Sequence, residues 1–496
     1  MTATTSRLRR LAVVGLTLVA ATLGLAGLGR FGLWRDEVLS LQIVSADWAQ
    51  MWSLLRAMPE QHPVYYFILR LWMRLGDSEL VLRALSVVFA AASIPFMWHF
   101  AKMLCSRVEA ALVATVLLAM SPFYLYYAQE ARMYTLLGFL AIVASLALAR
   151  WLEREDGRWL VWYGVSSSVG VYTHFFFSIL MISHLAGVMW WRDYRGAKVF
   201  RLLAVQALVA VAYAPWLFVI LTGQHNEQMW KGWSHVLLSL PYTFMRFALG
   251  YAEVLANGDW QANIIEVVSA DLGVVVPGAV VFGYLVLAGT RRMLQSGWRG
   301  RLILASTFAP FLITLVLSPV RILVGERYFI VCLPFVLVIV GEQLMALRES
   351  EKLRFAVIAT LLALVTAIPL WHFYRRSEFG KEQWREAAAF VSRRAQKGDV
   401  IYVLPDWLTP AFRYYWRGAN GCCEVEGAQD HGELARLLGD ESRVWLVASW
   451  PADSSAIHRV IRKNFAPTDQ ARFVKNNVIG VTLWVRQGAS MPTSDD

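Results

Sequence analysis

The stretch Leu33-Trp34-Arg35-Asp36-Glu37 follows an apolar run at residues 11–29 and sets two carboxylates beside a guanidinium and an indole. Carboxylates at the edge of hydrocarbon are expensive and tend to be functional. The pair is therefore a candidate site at the membrane surface. Adjacent side chains point in different directions, so one of Asp36 and Glu37 is expected to face a cavity while the other supports it. An interfacial belt of Trp and Arg is the plainer account. Further on, Glu60-Gln61-His62-Pro63-Val64-Tyr65-Tyr66 supplies an imidazole and a carboxylate, although Pro63 can simply start a helix. The run Ser121-Pro122 to Tyr134 contains Glu130 and Arg132, which could serve a substrate or neutralise each other. Tyr172-Thr173-His174-Phe175 places an imidazole between two apolar runs, where packing competes with ligation. Glu326-Arg327-Tyr328 offers an Arg able to grip a phosphate through two parallel bonds, or to snorkel as an anchor.

These residues need a scaffold that the composition describes. Of 496 residues, 57% are hydrophobic and 17% charged, and the mean hydropathy is +0.46. Soluble domains carry about 45–50% apolar and about 25% charged residues. The excess lies in eleven runs, near 11–29, 80–101, 110–127, 131–149, 159–174, 175–191, 202–221, 272–290, 302–318, 328–346 and 355–373. The chain is therefore expected to be a polytopic α-helical membrane protein with about eleven spans. Disorder, coiled coil and a disulfide scaffold are excluded; with Cys422 and Cys423 adjacent, no disulfide framework is legible.

The net charge of +11 does not point to nucleic acid, because the Lys and Arg residues crowd into every second short loop. Clusters at Arg7 to Arg10, Arg150 to Arg158, Arg192 to Arg201, Arg291 to Arg301 and Arg348 to Arg354 put the N-terminus in the cytoplasm and the tail outside. Residues 233–256 are apolar too, but Pro241, Arg246 and Glu253 interrupt them, and a crossing there would invert all later loops. Helices lying on the outer leaflet are expected instead. Outer loops at 30–79 and 222–271 then belong to a transmembrane domain of residues 1–374. The tail, 375–496, alternates helix-like stretches with β-rich runs at 400–404, 444–447 and 478–485. That alternation predicts a small α/β domain with a largely parallel sheet, serving packing or acceptor docking. Its aromatic residues Trp407, Tyr414, Tyr415 and Trp416 could stack on sugars, but core positions suit them better.

Together the motifs resemble the GT-C glycosyltransferases, in the branch of the protein O-mannosyltransferases and the aminoarabinose transferase acting on lipid A. The likeness rests on Trp34-Arg35-Asp36-Glu37, His62-Pro63-Val64-Tyr65-Tyr66, Leu82-Arg83-Ala84-Leu85-Ser86 and Ser121-Pro122 with Tyr127 to Tyr134. It continues in Tyr172 to Phe175, Arg327-Tyr328 with Leu333-Pro334, and Gln383-Trp384-Arg385-Glu386 at the opening of the tail.

The resemblance implies an integral enzyme of the cytoplasmic membrane. It would transfer a sugar from a polyprenyl-phosphate donor to a lipid, glycan or protein hydroxyl on the outer face, with inversion. Asp36 would be the general base, with Glu37 holding it or touching the sugar. Arg327, Arg132 and Arg83 would neutralise the leaving phosphate. Glu130 matches a position that binds metal in the aminoarabinose branch, and His62 falls where that branch has a Lys. Glu60, His62, Glu130 and His174 could thus supply ligands to a divalent ion, which would help such a reaction without being obligatory. Two rivals remain open: a polymerase or ligase using a diphosphate-linked donor, and a flippase or transporter of lipid-linked sugars. A transporter would more often hold its charges near mid-membrane.

Overall fold

The computed structural model describes residues 3–191, 196–223, 232–250, 272–318, 325–375, 381–416, 423–449, 454–475 and 477–487. They divide into two compact units. One takes in residues up to Leu28, those from Ile43 to Ala252 and those from Asp271 to Arg375; the other joins Gly29–Gln42 to the tail beyond Arg375.

The helices run in chain order as α1 (Ala3–Leu25), α2 (Arg35–Ser45), α3 (Trp48–Ala57), α4 (Pro63–Trp72), α5 (Glu79–Leu104), α6 (Val108–Ala119) and α7 (Pro122–Ala128). They continue as α8 (Tyr134–Arg154), α9 (Gly157–Val171), α10 (Phe176–Trp190), α11 (Ala197–Thr222) and α12 (Gly232–Leu249). The last of the first unit are α13 (Leu272–Leu294), α14 (Gly297–Leu317), α15 (Leu333–Ser350) and α16 (Lys352–Arg375). Every one of the eleven apolar runs falls on a helix, but the count of eleven spans is not confirmed. Among the described residues seven helices are long and apolar enough to cross a bilayer, or eight if α6 and α7, bent by 46°, form one span. At 1.5 Å per residue the 15-residue α9 and α10 rise only about 22 Å, against a hydrocarbon core of roughly 30 Å. The 18 residues of α15 include Glu342, Arg348 and Glu349.

Burial separates interior helices from those that face lipid. The apolar window of α8 is 83% buried, whereas that of α11 is 22% buried and bares Phe200, Val211 and Leu221. Apolar faces of that size are not tolerated in water, and the protein is an integral membrane protein. Most of the expected outer loop 222–271 lies outside the described residues; the part that is described forms α12. Its end is fixed by Gly250, at φ +63°, where a Cβ would come within 2.4 Å of the Phe123 amide nitrogen. The end of α12 thus lies directly against the start of α7.

The tail unit contains α17 (Trp384–Ser392), β1 (Val400–Leu404), α18 (Thr409–Tyr415), β2 (Glu424–Gly427), α19 (His431–Leu437), β3 (Arg443–Ser449), α20 (Ser454–Ile461), β4 (Phe465–Lys475) and β5 (Asn477–Arg486). The sheet order is β2-β1-β3-β5-β4. Only β1 with β2 and β1 with β3 are parallel; β5 runs antiparallel to both β3 and β4. The sheet is therefore mixed, not largely parallel. The closing hairpin went unread because the β4 sequence, with Pro467, Asp469, Gln470 and Arg472, has no apolar run. Tyr402, Leu404, Val444, Leu446, Phe465 and Trp484 from the sheet pack on Leu434, Ile457 and Ile461 from α19 and α20. Cys423 is disulfide-bonded, while Cys105 and Cys332 are free.

Candidate active site

In the membrane unit, short turns at one end of the bundle bring the expected residues together. Pro63 starts α4 and leaves His62 at the N-cap position. The Ser121 hydroxyl accepts the Tyr124 amide at 3.2 Å and starts α7, whose seven residues lead into the turn 129–133. That turn is tied down from beneath. The Ser86 hydroxyl donates to the carbonyls of Glu130 at 2.5 Å and Arg132 at 3.2 Å, and the Gln129 side chain donates to the Ala26 carbonyl at 2.7 Å. Arg132 is 4% exposed and donates at 3.0 Å to the Tyr66 hydroxyl, which itself donates to Gln61.

The imidazoles stack on each other, with ring centroids of His62 and His174 5.9 Å apart. His62 donates from Nδ1 to the Glu60 carbonyl at 3.0 Å, and its Nε2 is hydrogen-bonded to the Tyr213 hydroxyl at 2.8 Å. His174 Nδ1 accepts the Phe176 amide at 3.2 Å, which places its proton on Nε2. Burial first, then the charges of His62, Arg132 and Arg327, hold His174 well below the ordinary histidine value of 6.5. His174 is thus fixed as a neutral imidazole beside guanidinium groups. Arg327, half-buried, lies over the rings of Tyr134 and Tyr328, each centroid 5.7 Å from its guanidinium carbon. Arg83 is buried too and donates at 2.6 Å to the Leu28 carbonyl in the turn after α1.

The donor set for a divalent ion does not assemble as expected from Glu60, His62, Glu130 and His174. His62 uses both nitrogens, Glu60 is exposed, and among the described residues no three His, Cys, Asp or Glu side chains converge as a metal cage requires. A buried ion pair that the sequence did not suggest lies nearby: Arg246 of α12, with no exposed surface, bonds Glu326 and lies 5.5–5.8 Å from the ring centres of Phe123, Tyr126 and Tyr127. The charge that argued against a membrane crossing at 233–256 is neutralised inside the protein.

In the other unit, Asp36 and Glu37 occupy the first turn of α2, where carboxylates favour the positive end of the helix dipole. Glu37 is fully buried; its Oε2 accepts the Trp34 amide at 3.3 Å and its Oε1 lies 3.3 Å from the Lys381 ammonium. Asp36 keeps 15% of its side chain exposed and accepts from Arg35 Nε at 3.3 Å. Glu382 closes the same turn. One of its oxygens, Oε2, accepts both the Arg35 amide at 3.1 Å and the Trp384 indole N–H at 2.7 Å. Burial pushes the Glu382 carboxyl above its ordinary value, with hydrogen bonds and Arg35 opposing and Asp36 adding to the rise. Asp36 is thus partly accessible and Glu37 is locked. Lys381 and Glu382 were missed. Their signal was a charged pair directly before the amphipathic Trp384-Arg385-Glu386 helix start.

Comparison with known proteins agrees with this architecture. The model of the family described as dolichyl-phosphate-mannose-protein mannosyltransferase matches residues 59–219, which contain His62, Arg83, Glu130, Arg132 and His174 but not Asp36 or Arg327. ArnT from Cupriavidus metallidurans bound to undecaprenyl phosphate superposes with a TM-score of 0.58 at 13% identity, over 97% of this chain and 98% of that one. The chain has the fold of this ArnT. The apo form of the same ArnT gives 0.55 at 14% identity over the same shares of both chains. The Archaeoglobus fulgidus oligosaccharyltransferase in complex with Zn and sulfate gives 0.51 at 11% identity, over 95% of this chain and 72% of that one. No curated protein matches this chain by sequence. At these identities the structural likeness speaks for the fold, and the chemistry has to be argued from this chain's residues.

Proposed function

We propose that this protein is a GT-C glycosyltransferase that transfers a sugar from a polyprenyl-phosphate donor to an acceptor hydroxyl at the outer face of the cytoplasmic membrane, with inversion at the anomeric carbon. The observation that carries the reading is the buried assembly of Arg132, Arg327, His62 and His174, drawn from four separate turns of the membrane unit. Two guanidinium groups beside two imidazoles form a preorganised electropositive environment, which is what a departing phosphate demands. A mid-membrane ion path would distribute such groups differently. The ArnT structure with undecaprenyl phosphate supports the same ligand class, and the loop charges support the orientation.

In this reading the Asp36 carboxylate takes the acceptor hydroxyl proton as that oxygen attacks the anomeric carbon. The bond from that carbon to the phosphate oxygen breaks, its electron pair leaves on the phosphate, and polyprenyl phosphate is released. Arg132, held by Tyr66, and Arg327 receive the growing charge. Arg83 anchors the turn after α1 through the Leu28 carbonyl. No step is routed through a metal.

The test compares lipid-linked sugars and envelope glycans by mass spectrometry in wild-type, deletion and Asp36→Asn cells, alongside undecaprenyl phosphate binding to the purified proteins. Deletion and Asp36→Asn should both lose one sugar and accumulate its donor, with binding unchanged in Asp36→Asn. Wild-type glycans in Asp36→Asn cells, with donor trapped inside in the deletion, would favour a flippase and sink the assignment.

A further inference from the structure

The tail sheet has the strand arrangement that creates a ligand crevice. From β1 the chain passes through α18 to β2 on one side, then through α19 to β3 on the other side of β1. Crossovers that leave a strand in opposite directions open a gap beyond the carboxyl ends of the parallel strands, and α/β sheets bind their ligands there. The residues at that end in this chain are the turn Asp406-Trp407-Leu408-Thr409 after β1, Gly427 at the end of β2 and Ser449 at the end of β3.

Three features of this end are unexplained by packing. Trp407 is 45% exposed, although core positions had suited the tail's aromatic residues better. Its neighbours do pack: Trp416 stacks on Phe412 at 5.7 Å, and the Tyr415 hydroxyl accepts the Leu33 amide at 2.5 Å. The hydroxyls of Thr409 and Ser449 are buried, with residue exposures of 6% and 3%, yet neither has a hydrogen-bond partner among the described residues. Buried hydroxyls are normally satisfied, and two unsatisfied ones at one sheet end call for a polar partner. Gly427 leaves no side chain in the way; a Cβ there would come within 2.7 Å of Thr409 Oγ1. Finally, the Arg35 guanidinium lies 5.2 Å from the Trp407 ring centre while its Nε bonds Asp36.

We infer that the carboxyl end of β1 and β3 is a saccharide subsite for the acceptor, with Trp407 as its stacking platform. An indole face takes the apolar C–H face of a sugar ring. Hydroxyls on the ring edge find Asp406, Thr409 and Ser449, and Arg35 links the platform to Asp36. The inference rests on the transferase reading of Asp36 and assigns the acceptor class, a glycan or the sugar portion of a glycolipid.

The experiment scores glycan occupancy in cells expressing full-length Trp407→Ala, Trp407→Phe or Asp36→Asn at equal membrane levels, with undecaprenyl phosphate binding measured on each purified protein. Trp407→Ala should lower occupancy about tenfold, the loss of roughly 1.4 kcal/mol of acceptor binding. Trp407→Phe should restore most of it, and binding of undecaprenyl phosphate should stay at the wild-type value throughout. Full occupancy in Trp407→Ala, with none in Asp36→Asn, overturns the subsite and leaves the transferase reading intact. Full occupancy in Asp36→Asn overturns the reading itself. Equal loss in the Ala and Phe variants, with either one also weakened for undecaprenyl phosphate, makes Trp407 a structural residue and overturns the subsite.

Discussion

Glu382 gives a sharp test of how the acidic turn is held, because both its hydrogen bonds end on one oxygen. Glu382→Gln keeps a carbonyl oxygen that can accept the Arg35 amide and the Trp384 indole N–H while removing the charge. Glu382→Ala removes both bonds and leaves two donors with nothing in their place; Glu382 is 5% exposed and Trp384 is fully buried. Bonds to a charged acceptor are worth about 1.5–3 kcal/mol each, so Glu382→Ala should cost about 3–6 kcal/mol locally. The assay is hydrogen exchange of the full-length protein in detergent, read by mass spectrometry over the peptides containing Arg35 and Trp384. A loss of about 3 kcal/mol corresponds to a little over a hundredfold faster exchange at the Arg35 amide. Glu382→Gln should stay within about tenfold of wild type. Burial raises the wild-type carboxyl above the ordinary 4.5, so its stabilising contribution is present below that value and lost as pH rises through the raised one. The ratio of wild-type to Gln exchange should therefore grow with pH across that window. Unchanged protection in Glu382→Ala, or equal damage in Gln and Ala, would refute the argument.

Two further outcomes follow from the membrane unit. Arg246→Met should destabilise the protein by about 3–5 kcal/mol because Glu326 loses its buried cation, and Arg246→Met with Glu326→Gln should recover most of that in thermal unfolding. His174 is held well below 6.5, so its contribution is present above 6.5 and lost as pH falls through the lowered value. Between pH 7.5 and 5 the wild type should lose up to about 2 kcal/mol that His174→Asn does not lose, measured by unfolding at both pH values.

The parts of this protein legible in its sequence are those set by local chemistry. Apolar runs had to become helices, and all eleven did. Pro63 and Ser121-Pro122 marked the starts of the helices that place His62 and lead into the turn of Glu130. What stayed hidden depends on partners far along the chain. Arg246 looked like a surface residue because its counter-charge, Glu326, lies 80 residues away. His62 looked like a ligand because Tyr213, which occupies its second nitrogen, lies 151 residues away. Lys381 and Glu382 could not be tied to Asp36-Glu37 by any spacing. The mixed sheet was missed because an edge hairpin rich in polar residues has no apolar period.

The hydrogen bond from the Arg35 amide to Glu382 spans 347 positions, and this has a consequence for biogenesis. A ribosome working at roughly 5–20 residues per second needs about 20–70 s to travel that distance. For all that time the acidic turn lacks the residues that close it. A prematurely terminated chain would insert its helices yet carry an unfinished Asp36 turn. Synthesis of the tail thus acts as a checkpoint, reserving a closed acidic turn for chains extended beyond Glu382.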